Sequence, residues 1–586
     1  MLTNMPPTMS RHPRRLTLAA VLLAVVALPL AIVSAQGGRK FFADDPLWVE
    51  PITQDAKNVT RYEPNLFYEM LVGLTGPGDP VLGQRAKNLN TIDEVPDGSI
   101  YTNRAGRIPL TPALVARAAN TSPAPAPGPW AVVSAKSDGV TPGFTIRDAS
   151  NALWFIKFDP PKWPAMATGS EMVSAKLFWA IGYHTAEYHI ERLTADRLQV
   201  APDAKITPFG EGERRMRQAD VAALLKRAAR TADGGYRVIA SKGLPGRPVG
   251  RIRFDGTRAD DPNDVILHEH RRELRAYAVF AAWLNHVDLK ATNSMTSLIT
   301  ENGRSFIRGY LLDFGSTLGS AAIKPRERWE GYEGSLEPPK EIGKRIIGFG
   351  FVIPEWRTME FYEAKSVGRL PADHKDWDPE AWRGHLTTAA FKHARADDRF
   401  WAAHKLTFIT NEIIDAVVAE GRFNDPPSEK LLAEMIKARR DRIVQRYLPA
   451  VNPIVEPVLE IARRTTDGSP VTKSQLTFTN AAVAAKVASA PQGYTAEWST
   501  FDNATGAATV IGTTRGAASP LDVPQFPPAT TYIRVRLSAT NPPRKEWGEP
   551  VSIFFRTPPP RDPNALGQGR LTVTDSWQLV GFERMP

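Results

Sequence analysis

The sequence contains NHVDLKATN at residues 285–293, followed by YLLDFG at residues 310–315. Each comes at the end of an apolar run, and a strand-like segment leads into the second. Asp288, Asn293 and Asp313 supply two carboxylates and an amide oxygen, which are ligands that magnesium prefers. Turn hydrogen bonds by Asp and Asn would explain the first stretch alone. The order and separation of the two stretches favour a catalytic site.

The two stretches resemble the HxDLKxxN catalytic loop and the DFG motif of protein kinases. The resemblance implies that Asp288 faces the attacking hydroxyl as the base and that Lys290 neutralises charge on the transferred phosphoryl group. It also implies that Asn293 and Asp313 bind the metal ion, magnesium or manganese, that accompanies ATP.

Kinases also hold a strand lysine against the ATP phosphates by pairing it with a glutamate on the next helix. Lys157 lies in the strand-like stretch LWFIKF, and Glu171 lies at the start of the helical pattern that follows. An edge-strand lysine and a glutamate that stabilises a helix N-terminus are the alternatives for each residue alone. Glu187 and Glu191 are fallback partners. Together with the two downstream stretches, the pattern predicts a Lys157–Glu171 ion pair.

The chain departs from ordinary protein kinases in two places. KSDGVTPGF at residues 136–144 replaces the GxGxxG motif, with Gly139 and Gly143 as the glycines expected to let the backbone approach phosphate. IPE at residues 353–355 is a poor match to the APE motif. The chain therefore resembles atypical kinase-like families such as the HipA toxins, the CotH spore-coat kinases and the secretory-pathway kinases. The resemblance covers about residues 130–450.

The periodicity predicts an α+β fold, a two-lobed kinase-like domain followed by a small all-β sandwich. Predicted strands lie at residues 130–135, 143–147, 153–158, 236–241 and 250–254. Predicted helices lie at about residues 170–181, 264–284, 400–419 and 428–447, with Thr168 or Ser170 as the N-cap of the first.

The two ends of the chain are predicted to be separate from the kinase-like domain. Residues 36–129 are expected to form an irregular extension that ends in the Pro-rich linker TSPAPAPGP. Residues 458–586 are rich in Thr, Val and Ala and contain alternating strand patterns. They resemble a fibronectin-type-III sandwich, a kind of module that usually binds or spaces.

Residues 1–35 are typical of an export signal. Basic residues precede an apolar run at residues 16–33, and VSA at residues 33–35 fits the small-residue cleavage rule. Cleavage before Gln36 would release the mature chain outside the cytoplasm. The run is also long enough to be an uncleaved anchor, but Pro29 within it favours cleavage, so no stable membrane insertion is expected.

The composition of the chain limits the classes of binding partner that can be expected. The chain has 586 residues and a net charge of +10, which could favour anionic partners or be an ordinary solvated surface. No zinc-finger spacing or aromatic-interleaved basic stripe favours nucleic acid. Without any cysteine and with only 10 histidines, the chain has neither disulfides nor a probable structural zinc site.

The function predicted from sequence is an exported ATP-dependent kinase that acts on a protein or a surface molecule. A nucleotide-binding pseudokinase that serves as an interaction module is the first alternative. Transfer of AMP on the same fold is the second. The sequence does not identify the acceptor or the oligomeric state.

Overall fold

Helices and strands are mixed along the chain, which therefore has the α+β class that its sequence predicts. The computed structural model describes residues 38–75, 83–135, 142–208, 212–334, 347, 353, 355–372, 377–462, 474–557 and 574–585. The predicted export signal and Gly139 lie outside these ranges. In the described ranges, no helix is both long and apolar enough to cross a membrane.

The elements are numbered in chain order. The helices are α1 (Leu66–Thr75), α2 (Pro112–Arg117), α3 (Met166–Ile181), α4 (Gln218–Leu225), α5 (Arg272–Trp283), α6 (Glu355–Thr358), α7 (Ala389–Lys392), α8 (Ala396–Thr407), α9 (Asn411–Glu420), α10 (Pro426–Tyr447) and α11 (Ala481–Ala484). The strands are β1 (Trp130–Ala135), β2 (Gly143–Arg147), β3 (Leu153–Phe158), β4 (Tyr188–Leu193), β5 (Leu198–Ile206), β6 (Arg214–Arg215), β7 (Tyr236–Lys242), β8 (Arg247–Pro248), β9 (Ser294–Glu301), β10 (Arg304–Leu311), β11 (Phe361–Ala364), β12 (Gly368–Pro371), β13 (Ile454–Ala462), β14 (Gln475–Asn480), β15 (Gly493–Phe501), β16 (Ala508–Gly516), β17 (Leu521–Asp522), β18 (Tyr532–Thr540), β19 (Val551–Arg556) and β20 (Thr574–Glu583).

A seven-stranded sheet, in the order β4-β7-β3-β2-β1-β5-β6, holds the lysine strand β3 near its centre. Strands β1, β2 and β3 are antiparallel neighbours, and their bounds are those predicted from the sequence. In β3, Trp154, Ile156 and Phe158 are buried in an apolar core on one side of the sheet. Because side chains alternate along a strand, Lys157 projects from the opposite face.

Helix α3 follows β3 and is buried along its whole length except for one residue. It begins at Met166, so the prediction of Thr168 or Ser170 as its N-cap is wrong. The Asp159 carboxylate accepts hydrogen bonds from the Thr168 backbone N–H at 2.9 Å and from its hydroxyl at 2.7 Å. This carboxylate, nine residues before Thr168, satisfies a donor in the first turn that an N-cap side chain would otherwise serve. Glu171 consequently lies in the second turn.

Three other predicted elements differ from the structure. Residues 250–254 form no strand, and the helix predicted at residues 264–284 is a 3₁₀ turn, His268–His270, followed by α5. The helix predicted at residues 400–419 is broken into α8 and α9. Thr410 causes that break, because its hydroxyl accepts a hydrogen bond from the Ile413 N–H and starts a new helix.

Strands β13 to β20 form one eight-stranded sheet in the order β16-β15-β18-β19-β20-β13-β14-β17. The described part of the N-terminal extension packs against it. Phe41 is buried in a cluster with Phe501 and Tyr532. The Phe582 N–H also donates to the Thr91 carbonyl oxygen at 2.8 Å. The extension, although largely irregular, is thus fixed to the folded protein by long-range contacts.

A buried ion-pair network joins the extension to two helices. The Arg272 guanidinium on α5 lies 3.0 Å from Asp93, 3.2 Å from Asp397 and 3.0 Å from Asp398. Arg275, one turn later, lies 3.2 Å from Asp398. The side chains of Arg275 and Asp398 are both 0% exposed, so each charge depends on the other for compensation.

We expect Asp398→Ala to lower the free energy of unfolding by about 3–5 kcal/mol, because it removes a buried carboxylate that pairs with two guanidiniums. The matched control is Asp415→Ala, which breaks an exposed pair with Lys437 and should cost about 0–1 kcal/mol. Denaturant unfolding of the full chain measures both values. Equal and small losses for the two variants would contradict the buried network.

Candidate active site

Lys157 joins two of the predicted site residues. Its ammonium group donates to the Glu171 carboxylate at 2.7 and 2.9 Å and to Asp313 Oδ1 at 2.8 Å. Burial alone would lower the pKa of Lys157, but the carboxylates of Asp313 and Glu171 outweigh burial and raise that pKa. Lys157 therefore stays protonated, and the predicted Lys157–Glu171 ion pair is present.

Asp313 reaches this pair because of the backbone around it. It follows β10 and has φ 60° and ψ 49°, in the left-handed region that a non-glycine residue rarely adopts. Phe314, the next residue, is fully buried and stacks on Phe178 of α3 with ring centroids 5.1 Å apart. This packing fixes the backbone of Asp313 against the helix that carries Glu171.

The catalytic-loop candidates form a second hydrogen-bonded group. The Asn293 amide donates to the Asp288 carbonyl oxygen at 2.8 Å and to the Asp288 carboxylate at 3.0 Å. Lys290 lies 3.0 Å from the same carboxylate. The Leu312 N–H donates to the Asn293 carbonyl oxygen at 2.9 Å, which places the loop beside the residue before Asp313. The two motifs are therefore neighbours in space.

His286 is a supporting residue to which the sequence reasoning assigned no role. Its ring is fully buried, 5.8 Å from the Phe314 ring and 6.0 Å from the Phe178 ring. Burial lowers its pKa to about 4, so the imidazole is neutral near pH 7. His286 thus connects the loop that carries Asp288 with α3 and the segment after Asp313 through ring packing. The apolar run before residue 285 was the available signal that the loop is buried.

The two glycine candidates contribute less information. Gly143 is the first residue of β2 and is the cross-strand partner of Lys157. Its position is therefore beside the lysine. Gly139 lies outside the described residues, so the predicted phosphate-contacting role of both glycines stays a prediction.

The residues fit a metal ion that also binds nucleotide phosphates. The Asn293 Nδ2 atom is occupied by Asp288, which leaves the Oδ1 atom as the amide ligand. The Asp313 side chain is 46% exposed, so solvent reaches its carboxylate. Among the residues described, no group of three or more His, Cys, Asp or Glu could hold a metal ion. Magnesium commonly takes one or two carboxylates and completes its shell with water and phosphate oxygens.

A cavity of about 830 Å³ lies elsewhere, between the extension and the β9–β10 hairpin. Its walls include Ile100, His184, Arg271 and Phe306. None of the seven predicted site residues that the structure describes lines it. This cavity is therefore separate from the described residues of the predicted site, although charged side chains also line it.

No protein-family model and no curated protein matches the chain. Among solved structures, the chain is similar to a crystal structure of the Helicobacter pylori proinflammatory kinase CtkA. The two are 12% identical, and the match covers 53% of this chain and 94% of that chain with a TM-score of 0.25. A TM-score this low does not establish a shared fold, and the word kinase describes that protein.

Proposed function

We propose that the chain is an ATP-dependent phosphotransferase whose residues 130–450 form a two-lobed kinase-like domain. One observation carries the proposal: Lys157 contacts both Glu171 and Asp313, although Asp313 is 156 residues away in sequence. Phosphoryl transfer in kinases uses a strand lysine paired with a helix glutamate beside an aspartate that binds the metal ion, and these three groups converge here. The neighbouring group of Asp288, Lys290 and Asn293 supplies the remaining chemistry.

Each residue has a separate task in this proposal. Lys157 binds the α- and β-phosphates of ATP, and Glu171 keeps the ammonium group in place. Asp313 and Asn293 hold the magnesium or manganese ion, which when bound neutralises charge on the phosphate oxygens. Asp288 orients the acceptor hydroxyl and accepts its proton as that oxygen bonds to the γ-phosphorus and the bond from the γ-phosphorus to the bridging oxygen breaks, which releases ADP. Lys290 compensates charge on the phosphoryl group in transit.

The first test is transfer from labelled ATP by the full chain with magnesium or manganese. We expect label from the γ-position, and none from the α-position, to appear on a protein acceptor or on the chain itself. Label from the α-position would instead support AMP transfer. Metal-dependent ATP binding without any transfer would favour the pseudokinase alternative.

We propose that the protein works outside the cytoplasm on a protein or surface-molecule acceptor, because residues 1–35 have the pattern of an export signal. N-terminal sequencing of the native protein should yield Gln36 as the first residue. Recovery of an intact cytoplasmic chain that begins at Met1 or Met9 would contradict export.

We propose that residues 458–586 serve as a fibronectin-type-III-like module that binds a partner or separates domains. Their antiparallel pairing and alternating burial, as in β18, are compatible with such a module. Nucleic acid is not proposed as a partner.

A further inference from the structure

A second polar network involves residues close in sequence to Lys157 and to Glu171. Asp159 follows the lysine strand by two residues and accepts two hydrogen bonds from Thr168, in the first turn of α3. Arg237 on β7 completes the network, because its Nε atom donates to the Thr168 hydroxyl at 2.8 Å and lies 3.6 Å from the Asp159 carboxylate. Asp159 is 1% exposed and Arg237 is 12% exposed. The network therefore ties the end of β3 to the start of the glutamate helix.

The same arginine reaches the loop after α9. Its two terminal nitrogens donate to the backbone oxygens of Gly421 and Arg422. Phe423, the next residue, packs so closely on Gly169 of α3 that a Cβ atom at Gly169 would collide with the ring. The Arg422 guanidinium in turn donates to the Ile190 carbonyl oxygen on β4 at 3.2 Å. We call residues 421–423 the latch loop.

Helix α3 also contacts the extension and α9 through Lys176. The Lys176 ammonium group on α3 donates to the Ala116 carbonyl oxygen on α2 and lies 3.5 Å from Glu420 at the end of α9. Helix α3 thus contacts α2, α9, β7 and the latch loop around its circumference. A shift of α3 that withdraws Glu171 from Lys157 would break several buried hydrogen bonds at once.

We propose that Arg237 is a positioning residue that, with the latch loop, keeps Glu171 paired with Lys157 in the absence of nucleotide. This role rests on the proposed function, since it matters only if Lys157 binds phosphates. Its consequence is that the site is assembled before ATP arrives. ATP then does not have to select a rare conformation, and no loss of apparent affinity is incurred for that selection.

The test compares Arg237→Ala with Arg192→Ala in the full chain. Arg192 is the cross-strand partner of Arg237 on β4, but its side chain is exposed and pairs with Asp233. For Arg237→Ala we expect amide hydrogen exchange in the first two turns of α3 to accelerate on the order of tenfold. The KM for ATP should rise by a similar factor while kcat at saturating ATP stays near the wild-type value. Arg192→Ala should change neither quantity.

The split between KM and kcat separates positioning from loss of folded protein, which would lower the apparent kcat and leave KM unchanged. Thr168→Val is the second variant, since it removes only the hydroxyl that joins Asp159 to Arg237. It should raise the amide exchange rate of α3 and the KM for ATP by a smaller factor. If Arg237→Ala does not fold, Thr168→Val alone tests the positioning role.

Wild-type exchange rates and an unchanged KM in both Arg237→Ala and Thr168→Val would overturn the positioning role. If the wild-type chain binds no ATP, the proposed function fails, and the exchange of α3 still reports whether the latch exists.

Discussion

Asp313→Ala is expected to abolish metal-dependent ATP binding together with turnover. The substitution removes the charged ligand that we propose for the metal ion, and this carboxylate is also one of the two that contact Lys157. Loss of a residue that only hydrogen-bonds a metal ligand typically lowers metal affinity by about 10–100-fold. Loss of the ligand itself should lower metal affinity further. Titration calorimetry with ATP, in the presence of magnesium and of a chelator, measures the effect.

Two comparisons make this result specific. Asp415→Ala removes an exposed carboxylate far along the chain and should leave ATP binding unchanged. Metal-free binding of ATP to Asp313→Ala should stay weak but similar to metal-free binding by the wild-type chain, because Lys157 keeps its bonds to Glu171. Wild-type affinity of Asp313→Ala in magnesium would exclude Asp313 as the metal ligand.

The sequence was sufficient to predict the features that depend on local periodicity. Strand β3 alternates buried and half-exposed residues, so the face that carries Lys157 follows from period two alone. The motif around Asp313 also indicates a buried position for Phe314, because an aromatic side chain there needs an apolar partner. The Lys157–Glu171 contact was predicted from the resemblance to kinases, which pair a strand lysine with a glutamate on the next helix.

The remaining features depend on contacts between residues far apart in the chain. Helix α3 begins four residues earlier than predicted, and Phe423 of the latch loop, far along the chain, packs on Gly169 in its first turn. Arg237 lies 184 residues before Gly421, whose carbonyl oxygen it binds. The pairing of Arg272 with Asp398 spans 126 residues. No periodicity encodes which distant carboxylate or carbonyl a buried arginine will meet, so these networks could not be predicted.

Asn293 and Lys290 hold both the side chain and the backbone of Asp288 in place. Its carboxylate accepts from the Asn293 amide and lies 3.0 Å from Lys290, and its carbonyl oxygen is also bound by Asn293. An asparagine at position 288 keeps an oxygen that can accept the first of these bonds. The loop backbone and the metal ligands should consequently be preserved in Asp288→Asn, whereas the negative charge and the proton-accepting ability are lost.

Asp288→Asn should therefore retain ATP affinity in magnesium while the transfer rate falls by about two to four orders of magnitude, the range typical of a general base. Single-turnover transfer from γ-labelled ATP measures the rate, and calorimetry of the same preparation measures the affinity. The contrast with Asp313→Ala is the decisive comparison, because that variant should lose affinity as well. If the wild-type chain transfers phosphate and Asp288→Asn transfers it equally fast, Asp288 is not the base. If neither transfers to any acceptor although both bind ATP with metal, the pseudokinase alternative replaces the catalytic one.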